Sequence, residues 1–131
     1  MDINDSNNNC ILVVDNESDI LNVIQRGLIM HGFKVCTFTD PFAALEHFNS
    51  NSKDHHIVIS DIRMLGMNGY EFVKQIKKIN PQVKVILTSS FGIENKEFSN
   101  TLPDMKVDGF IKKPFPLESL INIIQQELSS N

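Results

Sequence analysis

The sequence lacks the features that would assign a protein to the nucleic-acid-binding, membrane or secreted classes. Its 12 lysine and arginine residues are outnumbered by 16 aspartate and glutamate residues, so it offers no basic surface for nucleic acid. No apolar run approaches the ~20 residues that a membrane span requires. The first nine residues show neither the basic nor the apolar part of a signal peptide. We therefore expect a cytoplasmic protein that contacts no membrane and binds no nucleic acid directly.

Cysteine is also scarce. The two cysteines, Cys10 and Cys36, do not have the spacing of a metal site. Both adjoin apolar stretches, so we expect buried free thiols rather than a disulfide. The pair His55–His56 has no further ligand spaced nearby, and we expect it to be a solvated pair rather than a metal site.

The length and composition are those of one globular domain. The chain has 131 residues, of which 41% are apolar and 21% charged. The polar composition of residues 1–9 predicts a disordered tail. We expect the folded domain to cover residues 10–128, followed by a short tail at residues 129–131.

Apolar strand patterns alternate with helical patterns along the chain. Five runs rich in apolar or β-branched residues predict strands at 10–14, 33–38, 57–59, 83–87 and 109–111. Apolar residues at helical spacing predict helices that begin at Ser18, at Asp40-Pro41, near Phe72 and at Pro116. The segment Gly92–Met105 has low helix propensity, so any helix there is short. This alternation predicts a parallel sheet with helices on both faces.

Polar side chains follow four of the predicted strands. In a parallel sheet these strand ends meet at one edge, where ligands of open α/β sheets bind. Clustered carboxyl and amide oxygens suit Mg²⁺, a lysine ammonium suits phosphate oxygens, and a carboxylate can carry a phosphoryl group. The strand-end residues are Asp15, Asn16, Glu17, Asp61, Thr88, Ser89 and Lys113.

These strand-end motifs resemble those of receiver domains of two-component response regulators. The matching stretches are residues 11–17, 60–69, 89–92 and 110–115. Each stretch is weakly specific alone, but four in this order are highly specific. The resemblance implies a flavodoxin-like doubly wound sheet with strand order 2-1-3-4-5.

The resemblance also implies a role for each matching residue. Asp61 matches the phosphoacceptor, and Asp15 and Asn16 match the acidic pair that holds Mg²⁺ together with Asp61. The backbone carbonyl of Arg63 matches a further metal ligand. Lys113 matches the lysine that contacts the phosphate, and a cis peptide bond between Lys113 and Pro114 is expected.

Other matching residues concern switching and phosphoryl lifetime. The switch hydroxyl is Thr88 or Ser89; we choose Ser89, because the residues after it then match the family continuation. Phe110 matches the aromatic residue whose orientation reports phosphorylation. Arg63 and Phe91 match positions that flank the path of the attacking water, so we expect them to tune the lifetime of the acyl phosphate.

Two residues depart from the family pattern. Asn16 stands where a second aspartate is usual, which lowers the expected affinity for Mg²⁺ unless Glu17 compensates. Leu65 stands where the loop usually has proline, which makes the loop less rigid.

The function implied is phosphoryl transfer from a histidine kinase or histidine phosphotransfer protein, so the protein is a signalling switch rather than an enzyme. We expect no output domain, since only residues 129–131 follow the last predicted helix, and we expect a downstream protein to bind a surface formed by Gly92–Met105, Phe110 and the last helix. The main alternative is a receiver-like binding module that works without phosphorylation. A flavin-binding flavodoxin is disfavoured because Asp15 and Glu17 would repel phosphate. A phosphatase with an aspartate nucleophile is disfavoured because Arg63 stands where it needs a second acid.

Overall fold

The computed structural model describes residues 10–89 and 107–129, in which strands and helices alternate. In chain order the elements are β1 (Cys10–Val14), α1 (Ser18–Met30), β2 (Lys34–Phe38), α2 (Pro41–Asn51), β3 (His55–Asp61), α3 (Gly69–Ile79), β4 (Lys84–Ser89), β5 (Gly109–Lys112) and α4 (Leu117–Ser129). A 3-10 turn at Ser52–Asp54 connects α2 to β3. Ser129, predicted to begin the tail at residues 129–131, is the last residue of α4. Residues 1–9 and 130–131, and the predicted weak helix in Gly92–Met105, lie outside the described residues.

The five strands form one parallel sheet in the order β2-β1-β3-β4-β5, which confirms the predicted fold. Parallel strands require a crossover connection, and α1, α2 and α3 supply the connections from β1 to β4. The chain therefore returns to the same end of the sheet before each new strand. All carboxyl ends then lie at one edge.

Each face of the sheet is covered by its own apolar layer. Successive side chains of a strand point to opposite faces. In β1, Leu12 and Val14 belong to the layer that contains α2 and α3. Ile11 and Val13 belong to the layer that contains α1 and α4. Because β1 is covered on both faces, all five of its residues are buried and its sequence is a continuous apolar run.

The helix boundaries follow local capping chemistry. The side chain of Asp40 accepts a hydrogen bond from the backbone N–H of Phe42 at 3.0 Å, so Asp40 caps α2 as predicted. Gly32, just past α1, has a φ of +87°, which favours glycine. The last helix begins at Leu117 rather than at Pro116. The carbonyl of Pro116 accepts from Ser119 N–H at 3.0 Å, which places Pro116 immediately before the helix.

The prediction of a solvated histidine pair is wrong for one of its two members. His56 is exposed, but His55 is buried. Neighbouring residues of a strand face opposite sides, and the ring of His55 contacts the rings of His47 and Phe48 on α2. The prediction of free thiols is confirmed, with Cys10 buried and Cys36 half-buried. No helix among residues 10–89 and 107–129 is long and apolar enough to cross a membrane.

The glycine at the start of α3 allows two backbone segments to approach closely. A Cβ atom at Gly69 would lie 2.5 Å from the carbonyl oxygen of Asp61 and 2.7 Å from the Cα of Ile62. The N–H of Gly69 donates to the carbonyl of Ile62 at 2.7 Å. Any side chain at this position must push α3 away from the end of β3, so Gly69 holds the loop after Asp61 in place.

The substitution Gly69→Ala should destabilise the protein by about 1–3 kcal/mol, because the backbone contacts leave no room for a methyl group. It should also shift the amide resonances of Asp61 and Ile62. Gly32→Ala is the matched control: it costs about 1 kcal/mol through its positive φ, but it has free space around it and lies far from Asp61. Urea unfolding and two-dimensional NMR measure both effects. A fully stable Gly69→Ala variant with unchanged Asp61 and Ile62 resonances would contradict this role.

Candidate functional site

Two buried carboxylates lie at neighbouring strand ends. Asp15 follows β1 and Asp61 ends β3, and their exposed fractions are 2% and 3%. Asp15 is held by backbone bonds: its N–H donates to the carbonyl of Phe38 at 3.1 Å, and Glu17 N–H donates to its Oδ1 at 2.9 Å. The N–H of Arg63 lies 3.5 Å from Oδ1 of Asp61. The sheet thus brings together two acids that are 46 residues apart in the sequence.

The ammonium group of Lys113 lies between these acids. Its Nζ is 2.7 Å from Oδ2 of Asp15 and 3.2 Å from Oδ2 of Asp61. A longer ion pair of 3.5 Å reaches the exposed Glu17. The backbone N–H of Lys113 donates to the carbonyl of Ser89 at 2.7 Å, which ties the lysine to the end of β4. The Lys113–Pro114 peptide bond is cis, as the resemblance implies.

Burial and charge act against each other in this cluster. Burial raises the pKa of Asp61 and so does the nearby Asp15, while Lys113 lowers it; the net pKa is above the ordinary value. Burial alone would lower the pKa of Lys113, but Asp15 and Asp61 outweigh it and raise the net pKa. The two carboxylates and one ammonium leave a local excess of negative charge, which favours a cation.

The donor atoms of this cluster fit Mg²⁺. The carboxylates of Asp15 and Asp61 are hard oxygen ligands, and backbone carbonyls such as that of Arg63 are suitable further ligands. Asn16 is exposed on the loop directly after Asp15, and Glu17 follows it. The chemistry of the donor set therefore fits the predicted cofactor, with Asn16 as the neutral member.

The two candidate switch hydroxyls differ in the face of the sheet that they occupy. Thr88 and Ser89 are both buried, and neither side-chain oxygen has a hydrogen-bond partner among the described residues. Leu87 pairs with Phe110, and both belong to the layer of α2 and α3. Because side chains alternate between the two faces along a strand, Ser89, two residues after Leu87, lies on the same face as Leu87 and Phe110. Thr88 lies on the opposite face.

Other predicted residues are less enclosed or are not described. Phe110 is half-buried against the layer of α2 and α3. The side chain of Arg63 is exposed next to Asp61. Phe91 and the segment Gly92–Met105 lie outside the described residues.

The structure also shows features that sequence reasoning missed. An apolar groove runs beside the acidic cluster, between α1 and the segment after β5; it is lined in part by Ile20, Val23 and Phe115 and reaches Glu17 and Lys113. In the sequence, the groove could have been inferred from Val23, an apolar residue on the exposed side of α1. Asn68 was also missed; its side chain accepts from Glu71 N–H at 2.9 Å and caps α3.

Removal of the lysine charge should strongly destabilise the protein. Lys113→Gln leaves Asp15 and Asp61 as buried, unpaired like charges, and the expected loss at pH 7 is about 3 kcal/mol in urea unfolding. Because the pKa of Asp61 is already raised in the folded state, protonation favours folding. The loss should therefore shrink as the pH falls through that pKa. Lys112→Gln, at the exposed neighbouring residue, is the control and should change stability little. Equal stabilities for the two variants would refute the pairing.

Comparison with known proteins identifies the family of this domain. The sequence matches the model of the response regulator receiver domain over residues 11–125. It is 29% identical over 119 residues to the DNA-binding transcriptional regulator NtrC of Escherichia coli (strain K12), which covers 91% of this chain and 24% of NtrC. It is 32% identical over 112 residues to the response regulator SaeR of Staphylococcus aureus (strain USA300), which covers 85% of this chain and 46% of SaeR.

A solved structure supports the same assignment. The crystal structure of the receiver domain of NtrX from Brucella abortus has a TM-score of 0.81 and 30% identity, covering 92% of this chain and 99% of that one. The chain spans less than half the length of NtrC and of SaeR, so the likeness concerns one domain of those proteins. The chain belongs to the family of response regulator receiver domains, whose general function is to be phosphorylated by a kinase.

Proposed function

We propose that Asp61 is the phosphoacceptor of this receiver domain. The observation that carries the proposal is the position of Lys113, whose ammonium contacts the carboxylates of Asp61 and Asp15 together. One oxygen of Asp61 attacks the phosphorus of a phosphohistidine, the P–N bond of the donor breaks, and an acyl phosphate forms on Asp61. The carboxylate, not the protonated acid, is the reactive form. Because the pKa of Asp61 is raised, its ionised carboxylate is a better nucleophile than that of an ordinary aspartate.

Lys113 prepares the site for this reaction. Its ammonium offsets the charge of the two carboxylates before the transfer, and it is close enough to Asp61 to bind an oxygen of the phosphoryl group afterwards. The Mg²⁺ that the family generally requires would be held by Asp15, Asp61, Asn16 and the carbonyl of Arg63. Bound there, it would neutralise charge on the transferring group.

Labelling with a small phosphodonor tests the acceptor directly. Incubation with acetyl phosphate and Mg²⁺ should add one phosphoryl group in intact-mass spectra, and Asp61→Asn should abolish the addition. Asp19→Asn, at an exposed acid of α1, is the matched control and should be labelled like the wild type. Unmodified wild-type protein at saturating Mg²⁺ would instead support the alternative function, a binding module that works without phosphate.

The neutral Asn16 predicts weak binding of the metal. Restoring a negative charge with Asn16→Asp should tighten Mg²⁺ binding by about tenfold, since the charge of the ligands sets the affinity of such sites. Glu17→Gln shows whether Glu17 compensates in the wild type, because the loss of a compensating acid would weaken binding further. Titration of both variants by calorimetry gives the affinities. An unchanged affinity in Asn16→Asp would defeat the proposal for this position.

A histidine kinase or histidine phosphotransfer protein is the proposed donor. A phosphohistidine must reach Asp61 from a second protein, and the apolar groove beside Lys113 offers that protein a surface next to the site. Exposed Val23 on α1 supplies apolar contact area there.

The proposed location is the cytoplasm. The two free thiols, Cys10 and Cys36, support a reducing compartment.

The proposed output is a change of the surface that includes Phe110 and α4. Phosphate on Asp61 draws the Ser89 hydroxyl toward it, and Phe110 moves into the space that is left. Support comes from the face of the sheet that Ser89 and Phe110 share and from the half-buried position of Phe110. A downstream protein would bind this surface together with Gly92–Met105.

Arg63 and Phe91 are proposed to slow hydrolysis by shielding the acyl phosphate.

Hydrogen exchange tests the proposed switch. With beryllium trifluoride and Mg²⁺, a stable mimic of the phosphorylated state, exchange should change at Phe110 and α4 as well as around Asp61. Ser89→Ala should abolish the change at Phe110 while leaving the change around Asp61 intact. Thr88→Val is the matched variant on the other face and should preserve both changes. Effects confined to the loops after β1 and β3 would exclude this surface as the output.

A further inference from the structure

A second cluster of metal-ligating side chains lies at the opposite edge of the sheet from Asp61. Cys10 and His55 begin β1 and β3 and pair with each other in the sheet register, and Cys36 lies on β2. Cys36 pairs with Leu12, which is two residues after Cys10, so the thiols of Cys10 and Cys36 share a face. The ring of His47, on α2, lies against that of His55 with centroids 4.9 Å apart. Three strands and one helix thus contribute four potential ligands.

The distances within this cluster resemble those of a tetrahedral metal site. The sulfur atoms of Cys10 and Cys36 are 3.6 Å apart, and Nε2 of His47 is 3.1 Å from Nε2 of His55. Zinc bonds of about 2.3 Å to sulfur and about 2.05 Å to nitrogen give tetrahedral edges of about 3.75 Å and about 3.35 Å. One ligand atom from each of Cys10, Cys36 and His55 lies within 4.8 Å of the other two. His47 is not part of that set, so its ring would have to rotate away from its contact with His55 to complete the coordination.

The protonation state of the histidine pair suits ligation. Nδ1 of His55 lies 3.0 Å from the carbonyl of Asn51 and so carries the proton, which leaves Nε2 as an acceptor. Its lone pair accepts a hydrogen bond from Nε2 of His47 at 3.1 Å, which a metal ion would have to displace. A backbone carbonyl on the second ring nitrogen is the usual support of a metal-bound histidine. Burial lowers the pKa of His55, so its ring is neutral at pH 7.

The thiol proton of Cys10 can be displaced by a metal. Burial, together with the neighbouring Cys36, raises the pKa of Cys10 to about 12, so without a cation the thiol keeps its proton. A bound cation deprotonates a ligating thiol, as in other cysteine sites. Cys10 and His55 are enclosed, with exposed fractions of 7% and 3%, while the half-buried Cys36 and His47 leave access from solvent.

We propose that Cys10, Cys36 and His55, with His47 as fourth ligand, form a binding site for Zn²⁺. Two S–Zn and two N–Zn bonds form, both thiols release their protons to solvent, and no electron is transferred. Soft thiolates with imidazoles select Zn²⁺ over the Mg²⁺ that suits the acidic cluster. The bound metal would join β1, β2, β3 and α2 at the end of the sheet remote from Asp61. The two sites are about 16–20 Å apart, the rise of the five residues from Cys10 to Asp15 and of the six from His55 to Asp61.

Cobalt titration tests the site in the reduced, full-length protein. Saturating Mg²⁺ occupies the acidic cluster, and Co²⁺ then serves as the spectroscopic probe. One equivalent of Co²⁺ should give the intense visible bands of tetrahedral coordination and a thiolate-to-cobalt charge-transfer band, and Zn²⁺ should displace it. Cys36→Ser should weaken the charge-transfer band and lower the Zn²⁺ affinity by at least about a hundredfold. His56→Gln, at the exposed neighbour of His55, should bind like the wild type.

Two outcomes would overturn the proposal. The first is wild-type protein that gives only the weak spectrum of octahedral cobalt, a result that does not depend on the folding of any variant. The second is a Cys36→Ser variant, folded by circular dichroism, that retains wild-type Zn²⁺ affinity. Asp61→Asn should leave the cobalt spectrum unchanged, which separates this site from the proposed phosphoacceptor site.

Discussion

The contact on which the site depends is that of one ammonium group with two buried carboxylates. Asp15 and Asp61 are nearly inaccessible to water, and their mutual repulsion in such surroundings is large unless a cation lies between them. Lys113 provides that cation at 2.7 Å and 3.2 Å. One ammonium group does not neutralise both carboxylates. A receiver domain needs this remaining negative charge, since a fully neutralised cluster would have no attraction for a metal ion. The residual negative charge would attract Mg²⁺, the ion that receiver domains generally bind. The ammonium group of Lys113 stabilises the two buried acids in the absence of a metal ion.

The parallel sheet places Lys113 within hydrogen-bonding distance of both Asp15 and Asp61. Each crossover returns the chain to the same end of the sheet, so Asp15, Asp61 and Lys113 meet although they are far apart in sequence. The same topology gathers the strand beginnings at the other edge, where Cys10 and His55 are paired in register and Cys36 faces them. The backbone contacts at Gly69 and the hydrogen bond from Lys113 N–H to Ser89 fix the loops that carry the acidic cluster. The contacts that stabilise these loops therefore also position the charged groups at the carboxyl edge of the sheet.

Much of the fold and of the acidic cluster was predictable because both depend on patterns that are local in sequence. Continuous apolar runs marked the strands, and polar residues immediately after them marked the edge where Asp15, Asp61 and Lys113 meet. His55 was misjudged because its burial depends on α2, which packs over it from elsewhere in the chain. The closeness of Cys10 and Cys36 was equally invisible, since it follows from the register of β1 with β2 and not from spacing. The restriction at Gly69 comes from a tertiary contact that composition does not reveal.

The central claim is that the carboxylate of Asp61, aligned by Lys113, carries the phosphoryl group. The most direct measurement is chemical trapping: protein treated with acetyl phosphate and Mg²⁺ is reduced with borohydride, which converts an aspartyl phosphate to homoserine, and its peptides are then sequenced by mass spectrometry. We expect homoserine at position 61, and Lys113→Gln should lower its yield to a greater extent than Lys112→Gln does. Homoserine at Asp15 or at another acid, with Asp61 unmodified, would contradict the account.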